Sequence, residues 1–76
     1  MFKVGELVRV RPDIVVGKSV AVNVVRPMLN YAGKVCKIES RYNFGKQNIY
    51  GVSFGGEISG FSWDEGILIR NTATLR

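Results

Sequence analysis

Apolar and polar residues alternate along much of this chain with a period of two. Val8-Arg9-Val10-Arg11 alternates strictly between apolar and charged side chains, as in a strand with one buried face, and Pro12 ends it. From Lys34 to about Arg41 the pattern returns, with Cys36 and Ile38 on one side and Lys37, Glu39 and Arg41 on the other. After a polar, glycine-containing turn, Asn48 to Phe54 predicts a third strand with Tyr50, Val52 and Phe54 on one face. Gly55-Gly56 marks a turn, Phe61 and Trp63 alternate around Ser62, and Ile67-Leu68-Ile69 predicts a last short strand. No long amphipathic helical stripe competes with these strands. Five short strands in 76 residues predict an all-β fold, a small, partly open barrel that curls to cover its own edges.

The stretch between the first two strands fits two descriptions. Asp13 to Val22 is either a hairpin with Gly17-Lys18 at its tip, glycine suiting the first central position of a type II′ turn, or a long loop whose valines cover one end of the barrel. Pro27-Met28-Leu29-Asn30-Tyr31 predicts one helical turn closed before Gly33, with Met28, Leu29 and Tyr31 plugging the core. Residues 71–76 carry no pattern and are expected to fray. Without repeats or low-complexity segments, residues 1–76 constitute one domain.

Composition narrows the function. At 46% hydrophobic and 22% charged residues, the chain belongs with globular rather than disordered sequences. No apolar run reaches the length of a membrane span, and no charged-then-apolar leader is present, so a soluble, cytoplasmic protein is expected. Histidine is absent, removing the commonest general base and metal ligand. Cys36 is the only cysteine, which fits a reducing compartment, and without a histidine to deprotonate it a place in the core is expected rather than a nucleophile's role. Asp64 and Glu65 are neighbours whose side chains diverge in extended chain and are expected to bond nearby backbone groups. Neither Gly55-Gly56 nor Gly45-Lys46 has the spacing of a phosphate-cradling loop. The expectation is a binding protein that is not an enzyme and carries no metal or cofactor.

Three blocks carry a resemblance. Phe2-Lys3-Val4-Gly5-Glu6-Leu7-Val8-Arg9-Val10-Arg11 resembles the bend and first strand of many SH3-like barrels. Met28-Leu29-Asn30-Tyr31-Ala32-Gly33-Lys34-Val35-Cys36-Lys37-Ile38 is similar to their M-x-x-Y-x-G-K-x-x-x-I segment, and Phe61-Ser62-Trp63-Asp64-Glu65-Gly66-Ile67-Leu68-Ile69 to their closing W-x-x-x-x-L strand. The order of the blocks resembles short uncharacterised proteins of phages and prophages of Gram-positive bacteria, and more distantly the mind-bomb-type SH3-like repeats. The resemblance implies a five-stranded SH3-like barrel and a bacterial host protein as partner. It spans residues 2–11 and 28–69, and its matching positions are bends and core, so it assigns no active residue.

Charge and aromatics supply the candidate sites. Net charge is +5 overall, with +6 in residues 1–46 and −1 in the remainder. If Val8, Val10, Cys36 and Ile38 point inward, Arg9, Arg11, Lys37 and Arg41 point outward as one basic stripe interrupted by Glu39. Beside it, Arg41-Tyr42-Asn43-Phe44-Gly45-Lys46-Gln47 is expected to be a turn mixing cations with two aromatics. Cations for phosphates and rings for base stacking are the ingredients of single-strand binding, so Arg9, Arg11, Lys37, Arg41, Tyr42, Phe44 and Lys46 form a candidate nucleic-acid surface. The alternative is a solvated face whose charge keeps the domain soluble. A second candidate is an aromatic groove for a peptide, built from Tyr31, Tyr50 and Trp63 with Phe54 and Phe61; the same rings equally suit the core. A third is self-association through the valine-rich segment 14–25. Protein, nucleic acid and a second copy are therefore the partners in view, a host or defence protein first among them.

Overall fold

The computed structural model describes residues 1–71. Among them the strands are β1 (Leu7–Val10), β2 (Gly17–Lys18), β3 (Asn23–Val24), β4 (Val35–Phe44), β5 (Gln47–Phe54), β6 (Glu57–Ile58), β7 (Trp63–Asp64) and β8 (Leu68–Arg70), with a 3-10 helix at Arg26–Tyr31. The class is all-β, but the strand count exceeds five because the two-residue strands β2, β3 and β6 also form, where the sequence offers no alternation to read. One antiparallel sheet runs in the order β6-β5-β4-β1-β8, and β7 pairs with the other half of β5. Its edges do not pair with each other, so the sheet is not closed into a barrel. No helix among the described residues is long and apolar enough to cross a membrane.

The alternating positions fill the core. Val8 and Val10 of β1, Cys36 and Ile38 of β4, and Tyr50 and Val52 of β5 are all buried. They meet Met28 from the 3-10 helix, Trp63 from β7 and Leu68 from β8. Burial pushes the Cys36 thiol up to about 12, which makes it an inert apolar filler. The 3-10 turn acts as the predicted plug: Met28 is buried, while Leu29 and Tyr31 pack against the core.

Two turns follow from glycine's access to positive φ. Gly5, at φ +93°, lies in a tight turn closed by the Glu6 N–H donating to the Lys3 carbonyl at 3.0 Å. That turn diverts the chain off the edge of β4 and sends Phe2 into the core, where its N–H donates to the Tyr50 hydroxyl at 3.0 Å. Gly45, at φ +64°, opens a two-residue turn between Phe44 and Gln47. The type II′ signature, glycine at the first central position followed by a residue with ordinary φ, thus belongs to Gly45-Lys46.

Two expectations are corrected here, and a third is divided. Gly17-Lys18 is not a hairpin tip but a strand paired with Val24 and Asn23; the tip is Val20-Ala21, closed by the Ser19 N–H on the Val22 carbonyl at 2.8 Å. The segment Arg41–Gln47 is not a long turn, because β4 continues to Phe44. The valine-rich segment has two characters: Val24 is buried and Ile14 and Val22 pack on the core, whereas Val15, Val16, Val20 and Val25 are exposed. The proposed fraying of residues 71–76 falls largely outside the described residues.

Candidate functional site

A single irregularity decides which side chains share a surface. On β4, Lys37 pairs with Ser53 and Ile38 with Val52, but Ser40 pairs with Gly51, so Glu39 and Ser40 together oppose one position of β5. This β-bulge shifts the side-chain phase of everything beyond it. Arg41 and Asn43 join the face of Ile38 and Tyr50, and Tyr42 and Phe44 join that of Lys37 and Ser53.

The basic stripe therefore does not form. Lys37 and Arg41 lie on opposite faces, and Arg41 donates to the Phe2 carbonyl at 3.4 Å beside Tyr50. Arg9 turns onto the Gly33 carbonyl at 2.7 Å and Asn71 Oδ1 at 3.3 Å. Arg11 pairs with Asp13 at 3.1 Å. Lys37 and Lys46 remain solvent-exposed, Lys46 at the hairpin turn. Phosphate contacts require cations that are free and convergent, and three of the four here are engaged within the chain.

The Tyr31, Tyr50 and Trp63 groove does not open either. Tyr50 and Trp63 are fully buried. Tyr31 stacks on Phe54 with ring centroids 4.2 Å apart, and Phe61 and Phe54 meet Trp63 edge-on. The Trp63 indole N–H donates to Ser59 Oγ at 3.0 Å, so its polar atom is satisfied inside the fold. Tyr50 and Trp63 thus belong to the core, and Tyr31, Phe54 and Phe61 pack half-buried against it.

Beyond the bulge, the end of the β4–β5 hairpin is amphipathic. One face carries a polar network: Tyr50 Oη donates to Glu65 Oε2 at 2.7 Å, Asn48 donates to the same oxygen at 2.9 Å, and Asn43 donates to Asn48 at 2.7 Å. Through the Tyr50 hydrogen bond first, and against some burial, this network holds the Glu65 carboxyl below its ordinary range. The other face is aromatic and open. Tyr42 is 57% exposed and Phe44 is 70% exposed, beside the buried Ile49. With Ala21, Val22 and Ser62 they line a groove of about 300 Å³.

The far wall of that groove is held in place by Asp64, whose side chain is completely buried. Its Oδ2 accepts the backbone N–H groups of Ala21 at 2.7 Å and Val22 at 3.0 Å. Its Oδ1 accepts Ser19 Oγ–H and the Gly66 N–H, each at 2.8 Å. Burial raises the carboxyl's pKa, and the four hydrogen bonds more than offset it, so Asp64 stays ionised below the ordinary carboxylate value. Asp64 and Glu65 do diverge; Glu65 bonds side chains, and Asp64 reaches across the fold as well as to Gly66.

Of the proposed binding residues, then, Tyr42 and Phe44 share a face with Lys37 and have Lys46 at the hairpin tip, whereas Arg9, Arg11 and Arg41 are engaged within the chain. Ala21 and Val22 fall within segment 14–25, raised in the sequence for self-association, whereas Ile49 and Ser62 were not site candidates; Ile49 left a trace as an apolar residue at an outward position of the third strand. No family model, curated protein or solved structure matches the chain, so the site rests on its own geometry.

Proposed function

We propose that the chain is a non-catalytic module that binds another protein through the aromatic face of the β4–β5 hairpin. The observation that carries this is the pair Tyr42 and Phe44, both more than half exposed above a preformed apolar groove. Exposing two large rings on a small domain costs solubility, and interfaces are enriched in aromatic anchors seated against such grooves. A protein partner is favoured over nucleic acid because the groove is apolar and no cation lines it. The strand order β5-β4-β1-β8 supports an SH3-like architecture as the scaffold. The resemblance to phage and prophage proteins supports a bacterial host or defence protein as the target, met in the host cytoplasm and modulated or inhibited by the complex.

A second reading has one observation in its favour: Lys46 sits at the turn beside Phe44, so a base stacked on the ring would bring its phosphate near a cation. Titration with single-stranded oligonucleotides separates the two. A steep loss of affinity with salt would support nucleic acid. The test of the primary proposal is capture of a partner by the wild-type protein and by Tyr42→Ser/Phe44→Ser. One stoichiometric partner, retained under nuclease and lost with the double variant, is the expected outcome.

A further inference from the structure

The long hairpin leaves one strand edge uncovered. β1 covers the outer edge of β4 only along Val35–Lys37, followed by the Gly5 and Glu6 contacts to the backbone of Ile38. There the Gly5 turn takes the chain away, and β4 continues for six more residues without a neighbouring strand on that side among the described residues. The direction of its free groups follows from the register. Phe44 and Gln47 flank a two-residue turn and exchange hydrogen bonds, so alternation makes Tyr42 and Ser40 the other residues bonded to β5. The backbone N–H and C=O groups of Arg41 and Asn43 therefore point outward, into solvent. Proline is absent from this edge and the bulge lies at its start, so beyond Ser40 the charge of Arg41 is the one usual protection present.

We propose that this edge pairs with the same edge of a second copy, antiparallel and centred on Asn43. The sequence is self-complementary in that register. Asn43 faces Asn43 of the second copy as a hydrogen-bonded pair, and Tyr42 faces Phe44 of the second copy twice, at the closer non-hydrogen-bonded positions where aromatic pairs stabilise most. Beyond Phe44 the chain turns at Gly45-Lys46, so the paired segment is Tyr42–Phe44 and no cation directly opposes another. Centring on Arg41 would oppose two guanidinium groups. The interface is isologous and closes at two chains. It joins the two sheets edge to edge and sets four aromatic rings on one face, so the grooves are doubled rather than covered. The association concerns the edge of β4 and the proposed function its face; it is read on the isolated protein, so either can fail without the other.

The test is the mass of the isolated protein by sedimentation across a concentration series, together with cross-linking. Wild type is expected to move from one to two chain masses. Association should tighten as salt screens the +5 charge on each copy. Asn43→Pro removes the outward N–H together with the exposed side-chain hydrogen bond to Asn48, and is expected to remain monomeric, with its folding midpoint checked by urea. Asn43→Cys, treated with oxidised glutathione, is expected to cross-link between copies, since facing hydrogen-bonded residues lie at about 5.5 Å between Cα atoms, within disulfide reach. Phe44→Cys faces Tyr42 instead and should not. The native Cys36 is buried and does not interfere. A wild-type protein that stays monomeric throughout overturns the proposal. So does a dimer in which Asn43→Cys fails to cross-link, or one abolished by Val15→Lys/Val16→Lys, which would move the interface to segment 14–25.

Discussion

The Asp64 carboxylate accepts the Ala21 N–H at 2.7 Å across 43 residues of chain. With Val22, Ser19 and Gly66 as further donors, one buried carboxylate fixes the tip of the β2–β3 hairpin against β7. Because Ala21 and Val22 form one wall of the aromatic groove, that carboxylate is a structural support of the candidate site.

Replacing Asp64 with Asn keeps the shape but supplies an NH2 where one oxygen accepted two donors. With the NH2 on the Oδ1 side the Ser19 hydroxyl turns to accept from it and the Gly66 N–H is left facing a donor, at a cost of about 1–3 kcal/mol. The urea midpoint should fall accordingly. An unchanged midpoint would mean that the carboxylate network adds nothing to stability.

The pH profile has a defined shape. The chain has no histidine, so little titrates near neutrality. Asp64 and Glu65 both have depressed pKa values in the folded state: for Asp64 the four hydrogen bonds outweigh burial, and for Glu65 the Tyr50 hydrogen bond leads. A depressed carboxylate stabilises the fold above its unfolded pKa, and that stability is lost as pH falls through the folded value. Cys36 behaves oppositely in pH: burial raises it from 9.0 to about 12, so the unfolded chain loses its proton first and stability declines as pH climbs between those values. Stability measured by denaturant titration should form a plateau from roughly pH 5 to 8.5. Asp64→Asn should flatten the acid limb, and persistence of the full acid loss in that variant would assign it elsewhere.

Gly66 is a site of close approach. A Cβ there would lie 2.6 Å from Ser19 Oγ, 2.7 Å from Val20 Cγ2 and 3.1 Å from Asp64 Oδ1. Gly66→Ala should push the hairpin tip off Asp64 and cost about 1–3 kcal/mol, as overpacking does. Amide exchange at Ala21 and Val22 should accelerate more than at Val8 or Val52. Uniform acceleration would indicate global destabilisation without the local displacement.

Trp63 and Phe44 separate core from surface. Trp63→Ala removes a fully buried ring and should cost about 3–5 kcal/mol, enough to unfold a small domain. Phe44→Ser should change stability by no more than about 0.5 kcal/mol. Circular dichroism melts of the two variants distinguish them, and an unfolded Phe44→Ser protein would remove that ring from the exposed face.

Much of the core was legible from alternation alone: Val8 and Val10, Cys36 and Ile38, Tyr50 and Val52 all point inward, and Pro27 to Tyr31 forms the short helical plug. The arrangement of cations was not, because alternation was carried through Glu39 and Ser40, where the bulge reverses its phase. Nothing local marks that bulge; it depends on pairing with Gly51, whose lack of a side chain leaves room for Ser40. Gly17 misled for a related reason. Its positive φ of +134° occurs inside a short strand, and the true tip is set by Asp64, which lies far away in sequence. Long-range hydrogen bonds of this kind leave no periodic signal.

The central claim is that the Tyr42 and Phe44 face binds a protein. The most direct measurement is affinity capture from bacterial lysate, with and without nuclease, using wild type, Tyr42→Ser/Phe44→Ser and Arg9→Glu/Arg11→Glu side by side, read by mass spectrometry. The expected result is one dominant protein that survives nuclease, remains with the arginine variant and disappears with the aromatic variant. A partner kept by the aromatic variant, or a nuclease-sensitive mixture lost with the arginine variant, would contradict it.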